Sequence, residues 1–301
     1  MRFLNIQTDY AFKKVFGSKE SKNILKSFLN ATLELPLLIE DLIIEDPYNV
    51  PKLQGMKDTA VDVKATLSDN SLVIIEMQIL NHDGFESRIL YNVAKNYANQ
   101  LDKGERYTLL NPVIALTIAN FTMFEFDKYK SIFKLLEKEN FTQYKDDIQL
   151  IFIELPKFTK HINECQTIEE KWIAFIKEAR DLSAIPETIN DIGIKQAFEI
   201  ANTASLSKEE LEIQEKREDF LFIQKSSIEK AKREALEEGF ERGREEGIEE
   251  GIVVGIEKGR EEGIKLEKLN IAQNLLDILD NETIALKTGL SVEEIGGLRK
   301  S

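Results

Sequence analysis

Residues 59–67 alternate between apolar and polar side chains, and residues 72–79 return as a second, mostly apolar run. Successive strand side chains point to opposite faces, so Val61, Val63 and Ala65 are expected on one face and Asp62, Lys64 and Thr66 on the other. Ser68-Asp69-Asn70 between the runs is turn chemistry. The two runs predict a β-hairpin, and everything else in the first two thirds of the chain has to cover or extend it.

The neighbouring segments do so. Ser18 is set as the N-cap of a helix to about Thr32, in which Ile24, Leu25, Phe28 and Leu29 form one stripe and Lys19, Lys22 and Lys26 another. Residues 38–46, closed by Asp46-Pro47, predict a strand. After Asn81-His82-Asp83-Gly84 a helix is expected over 85–101, then buried strands over 112–119 and 148–155. The order α-β-β-β-α-β predicts an α/β fold, a mixed sheet with helices against it. Residues 166–205 have a helical pattern anchored by Trp172, Phe175 and Phe198, and residues 208–279 read as nearly unbroken charged helix. Expected units are a core over 1–160, a helical extension over 161–205, a long Glu/Lys/Arg helix over 206–280 and a small helical module over 281–301.

Asp62 and Glu76 each interrupt an apolar strand, which is costly unless something pairs with them. Glu76 and Gln78, two residues apart, emerge on one face, and a hairpin allows Asp62 to face them. Two carboxylates and an amide oxygen suit a hard divalent ion such as Mg²⁺, which can polarise a phosphoryl oxygen and activate water. On spacing alone the alternative is equally simple: solvated acids with cross-strand partners such as Lys64.

The opening Thr8-Asp9-Tyr10-Ala11-Phe12-Lys13-Lys14-Val15-Phe16-Gly17, the run Leu25-Lys26-Ser27-Phe28-Leu29-Asn30, and Asp62 followed by Ile75-Glu76-Met77-Gln78, Arg88 and Tyr91 resemble the Rpn family of recombination-promoting nucleases and transposases. The Lys171-Trp172 segment with Phe175 and the glycine-rich tail are similar to its members as well. The resemblance implies a PD-(D/E)XK fold and a metal-dependent DNA endonuclease. It makes Asp62 and Glu76 metal ligands and places Gln78 where the superfamily has lysine. Gln78 carries no charge, so a cation is expected from elsewhere, with Lys64 as the candidate. Asp9 and Lys13 would frame the site or the DNA backbone, or form a plain i,i+4 pair. Arg88 and Tyr91 would reach a phosphate or pack at the rim. His82 and His161 have no evident catalytic partner in the sequence.

Gly239, Gly243, Gly247, Gly251, Gly255, Gly259 and Gly263 recur every fourth residue, extended by Ala231 and Ala235. Each glycine costs a helix about 1 kcal/mol relative to alanine. A row of small residues lets another helix approach closely, so residues 231–265 are expected to bind a second copy or a partner protein; a frayed charged tail is the alternative. Beyond it, Ser291-Val292-Glu293-Glu294 is a capping box. The acids at the start of that last helix are poor readers of a DNA groove.

Net charge is −14, with 24 Lys+Arg against 30 Asp+Glu in residues 1–205 and 16 against 24 in residues 206–301. Such a field repels polyanions, so any nucleic-acid contact needs local cations or metal. One cysteine, Cys165, excludes an internal disulfide and a multi-cysteine zinc site. No apolar stretch reaches the length of a membrane span, and a cytoplasmic protein with DNA as its partner is expected. A non-catalytic interaction protein of the same fold and an RNA-directed nuclease remain the alternatives.

Overall fold

The computed structural model describes residues 1–49 and 59–299. The chain forms two units, Met1–Lys225 and Ser226–Ser301.

In the first unit a six-stranded sheet is built from β1 (Leu42–Glu45), β4 (Val63–Leu67), β5 (Leu72–Gln78), β6 (Val113–Ala119), β8 (Gln143–Glu154) and β7 (Lys130–Leu136), in that spatial order. A separate ladder pairs β2 (Tyr48–Asn49) with β3 (Thr59–Ala60). β1, β4 and β5 are antiparallel neighbours; β5, β6 and β8 run parallel, and β7 returns antiparallel along β8. The hairpin β4–β5 turns at Asn70, whose φ of 65° is the left-handed conformation that asparagine tolerates.

One sheet face carries Val63, Ala65, Val73, Ile75 and Met77. Against it pack α1 (Asp9–Phe16), α2 (Lys22–Thr32), α4 (Ile168–Glu178) and α5 (Ile192–Ala201). Trp172 is fully buried there, its ring 5.6 Å from Phe16 and 5.5 Å from Phe28, with its indole N–H donated to Ser27 Oγ at 3.2 Å. The opposite face, with Leu72 and Ile74, packs under Phe85, Ile89 and Val93 of α3 (Phe85–Ala98). The fold is the expected PD-(D/E)XK-like α/β core.

Several expectations need correction. The chain does not alternate through Asp62: β4 begins at Val63, and Val61 packs on the α3 face while Val63 and Ala65 pack on the other. The cause is the Asp62 side chain, whose Oδ2 accepts the Met77 N–H at 2.8 Å, a donor that would otherwise serve the strand ladder. Ser18 does not cap α2; its hydroxyl meets Ser21 Oγ at 2.6 Å and a short 3₁₀ turn precedes the helix. The strand expected over 38–46 is confined to β1, and Leu38 is exposed. α3 stops at Ala98. β7 carries no strand signal in the sequence, being a half-exposed edge strand with no clean alternation.

α6 (Lys208–Leu275) starts in the first unit and continues into the second. A Cβ added at any of its seven ladder glycines would meet nothing within 4 Å. The second unit ends in α7 (Asn281–Thr288) and α8 (Val292–Leu298), which bury Ile284, Leu290 and Ile295 with Ala272. Gly289 turns between them at φ 70°, and the capping box of Ser291 and Glu294 is formed. Among the described residues no helix is long and apolar enough to cross a membrane.

Candidate active site

The period-two placement of Glu76 and Gln78 on β5 puts both side chains within reach of α3. Gly84, at φ 79°, starts that helix, and Arg88 lies one turn in. Arg88 Nη2 stands 3.3 Å from Glu76 Oε2 and 3.0 Å from Gln78 Oε1. Asn92, one helical turn further, donates Nδ2 to Glu76 Oε1 at 2.8 Å. Gln78 donates Nε2 to the Leu80 carbonyl at 2.8 Å, which turns its amide oxygen toward the guanidinium. Burial raises the Glu76 carboxyl above its ordinary value, opposed by Arg88 and Asn92.

Asp62 directly precedes Val63, the strand partner of Ile75, and donates its own N–H to the Ile75 carbonyl at 3.1 Å. Its carboxylate is held between backbone and cation: Oδ2 on the Met77 N–H, Oδ1 3.4 Å from Lys13 Nζ. Lys13 also pairs with Asp9 at 2.6 Å. Burial lifts the Asp62 carboxyl to about 7; the Met77 N–H and Lys13 pull it down and Asp9 pushes it up. Asp9 itself, despite burial, is held below its usual value by Lys13, and Lys13 is raised by the two acids despite its own burial. So Asp9 and Lys13 are an i,i+4 pair and also touch the acid of the site.

Lys64 pairs with Glu45 on β1 at 3.2 Å. Among the described residues, Lys13 reaches Asp62 and Arg88 reaches Glu76. Tyr91, half-exposed, lines a cleft of about 770 Å³ with His82, Arg88 and Asn92. Asn92 Oδ1 is buried there without a hydrogen-bond partner. His82 faces the Asp83 carbonyl, and His161 pairs with Glu178 at 3.0 Å. Of the lysine stripe, Lys22 pairs with Asp41 and Lys26 reaches the Glu40 carbonyl.

The sequence matches the model of a family described as PD-(D/E)XK nuclease family transposase over residues 6–231. The chain belongs to this family. The match supports the Rpn-like resemblance, and it runs from the turn before α1 into α6, taking in every residue of the site just described. Comparison with curated proteins and with solved structures gave no match.

PD-(D/E)XK nucleases generally use divalent metal ions; here Glu76 and Gln78 turn to Arg88 and Asn92 of α3, whereas Asp62 meets the Met77 N–H and Lys13 of α1, the helix on the other sheet face. Asp62, Glu76 and the Gln78 amide offer hard oxygen ligands. Both carboxyls are raised because burial outweighs the cations that face them, the condition an additional cation relieves. Among the described residues no three His, Cys, Asp or Glu side chains gather around one point.

Residues 210–221 escaped the sequence reading. Glu210, Gln214 and Arg217 approach α1 and the end of β5. They lie some 200 positions from their partners, and their signal, a helical stripe at the start of α6, is shared by any charged helix.

Proposed function

We propose that the chain is a metal-dependent endonuclease that hydrolyses DNA phosphodiester bonds, with Asp62 and Glu76 as ligands of Mg²⁺ or a similar ion and Gln78 orienting the attacking water. The observation that carries this reading is the single guanidinium of Arg88 joining Glu76 to Gln78. A neutral glutamine stands at the position of the superfamily's lysine, and Arg88 supplies the missing charge at the same place. When bound, the ion would polarise the phosphoryl oxygen and lower the pKa of water.

The chain's own residues divide the remaining work. The Met77 N–H and Lys13 fix the Asp62 carboxylate. Asn92 fixes Glu76. Arg88 offsets the negative charge that develops on the phosphate, as a preorganised donor does. Lys13 is also placed to meet a phosphate of the DNA backbone, with Asp9 orienting it. Lys64, tied to Glu45, takes a lesser part. A recombination-promoting role would follow from cutting DNA.

The ladder supports an accompanying role for residues 231–265 in binding a second copy or a partner, since all seven glycines leave open space beside the helix. Plasmid nicking tests the enzymatic reading. Cleavage should require Mg²⁺ and disappear in Glu76→Ala; equal nicking by both proteins would assign it to a contaminant or another site. With no DNA cleavage, the same pair on single-stranded RNA tests an RNA-directed nuclease. Inactivity on both leaves the interaction role alone.

A further inference from the structure

The root of α6 carries a stripe at helical spacing: Glu210, Gln214, Arg217 and Leu221. The first two lock the helix to α1. Glu210 accepts hydrogen bonds from the Lys14 ammonium, from the Ser207 N–H at 2.8 Å and from the Tyr10 hydroxyl at 2.9 Å. Gln214, 5% exposed, accepts from Thr8 Oγ1 at 2.9 Å. Thr8 is the N-cap of α1, the helix that carries Asp9 and Lys13 to Asp62.

One turn further, Arg217, Phe220 and Leu221 wall a cleft of about 220 Å³ whose other side includes Asp9, Gln78 and Ile79. Arg217 is exposed and forms no ion pair among the described residues, although its charge is felt by Asp9. Phe220 keeps 54% of its surface open. An unengaged guanidinium beside an open aromatic ring suits a nucleotide: guanidinium for phosphate, ring face for base. Gln78 belongs to this cleft and to the Arg88 contact, so a strand running through the cleft adjoins the scissile position. The cleft has the scale of one nucleotide and not of a duplex.

We propose that this cleft is a subsite for the nucleotide next to the scissile phosphate on a single-stranded stretch of DNA, Arg217 holding its phosphate and Phe220 covering its base. The inference rests on the nuclease reading above, because the two share Gln78. It also makes the root of α6 part of the substrate site.

The experiment is fluorescence anisotropy of a labelled single-stranded DNA, with a duplex of the same sequence alongside, on the full chain carrying Glu76→Ala in Mg²⁺. Adding Arg217→Gln should weaken single-strand binding about tenfold and flatten the plot of log affinity against log salt by about 0.7, the loss of one phosphate contact. Arg217→Lys should keep the slope. Phe220→Leu should weaken binding about tenfold with the slope unchanged, as loss of stacking does. Arg244→Gln, in the second unit, serves as the control for charge alone. An Arg217→Gln protein with unchanged affinity and slope, an equal loss in Arg244→Gln, or tighter binding of duplex than of single strand overturns the subsite and leaves the nuclease reading standing. No binding of either DNA by the parent overturns the subsite, and the nuclease reading falls separately if the wild-type chain fails to nick plasmid in Mg²⁺.

Discussion

The guanidinium of Arg88 lies 3.0 Å from the amide oxygen of Gln78, the contact through which the proposed nuclease would bring a cation to its neutral glutamine. Removing it should damage catalysis more than folding. Arg88→Gln is expected to lower the single-turnover cleavage rate by about 10²–10³-fold, the usual cost of one preorganised transition-state donor. Arg88→Lys should recover part of it. Melting curves should show a much smaller effect, since Arg88 is nearly half exposed.

The raised Asp62 carboxyl predicts a pH signature. Its folded value of about 7 lies above the ordinary aspartate value. Between about pH 4 and 7 the folded chain therefore binds more protons than the unfolded one, and stability falls as pH rises through that window. Glu76, also raised, contributes with the same sign. Asp62→Asn should melt higher than the parent at pH 7.5, with the difference shrinking toward pH 4. Because a metal ligand must be ionised, Mg²⁺ should stabilise the parent more at pH 8 than at pH 6 and should have little effect on Asp62→Asn.

The helices that follow the sheet belong to its core. Trp172 fills the space between Phe16, Phe28 and Phe175. Trp172→Ala is expected to cost about 3–5 kcal/mol, measured by urea unfolding. A chain ending at residue 160 should not fold, whereas one ending at Lys225 should give a cooperative melt. A stable 1–160 fragment by circular dichroism would contradict this.

The ladder glycines offer a separate measurement. Apart from the helix's own backbone, no described atom lies within 4 Å of an added Cβ at any of them, so each glycine-to-alanine change should stabilise the helix by about 1 kcal/mol. Sedimentation then separates the two readings of the tail: if a second copy approaches along the row, alanine at Gly247, Gly251 and Gly255 should weaken association even as it stabilises the helix.

Local chemistry made much of this legible before any coordinates. The hairpin follows from alternation and the turn at Asn70, and the shared face of Glu76 and Gln78 follows from the strand period. Trp172, Phe175 and Phe198 were recognisable as core from their helical spacing. The alternation breaks at Asp62 because its side chain takes the place of a backbone acceptor, a substitution that the apolar-polar pattern does not encode. Lys64 shares the polar face of β4, but ion pairing follows distance in space, and the cross-strand neighbour Glu45 engages it. Arg88 is a candidate phosphate contact by resemblance alone, but its place beside Gln78, and Arg217 as a candidate at all, follow only from helix packing.

The four-residue spacing of the glycines has a geometric consequence for whatever α6 meets. Four residues turn an α-helix about 40° past a full revolution, so the small positions climb around the rod as a gentle spiral, each followed by its next residue, Phe240, Ile248, Ile252, Ile256 or Ile264 among them. A straight companion could touch two or three steps before the spiral carried the next one out of reach. The spacing therefore favours short oblique crossings at successive heights and bearings over one long seam.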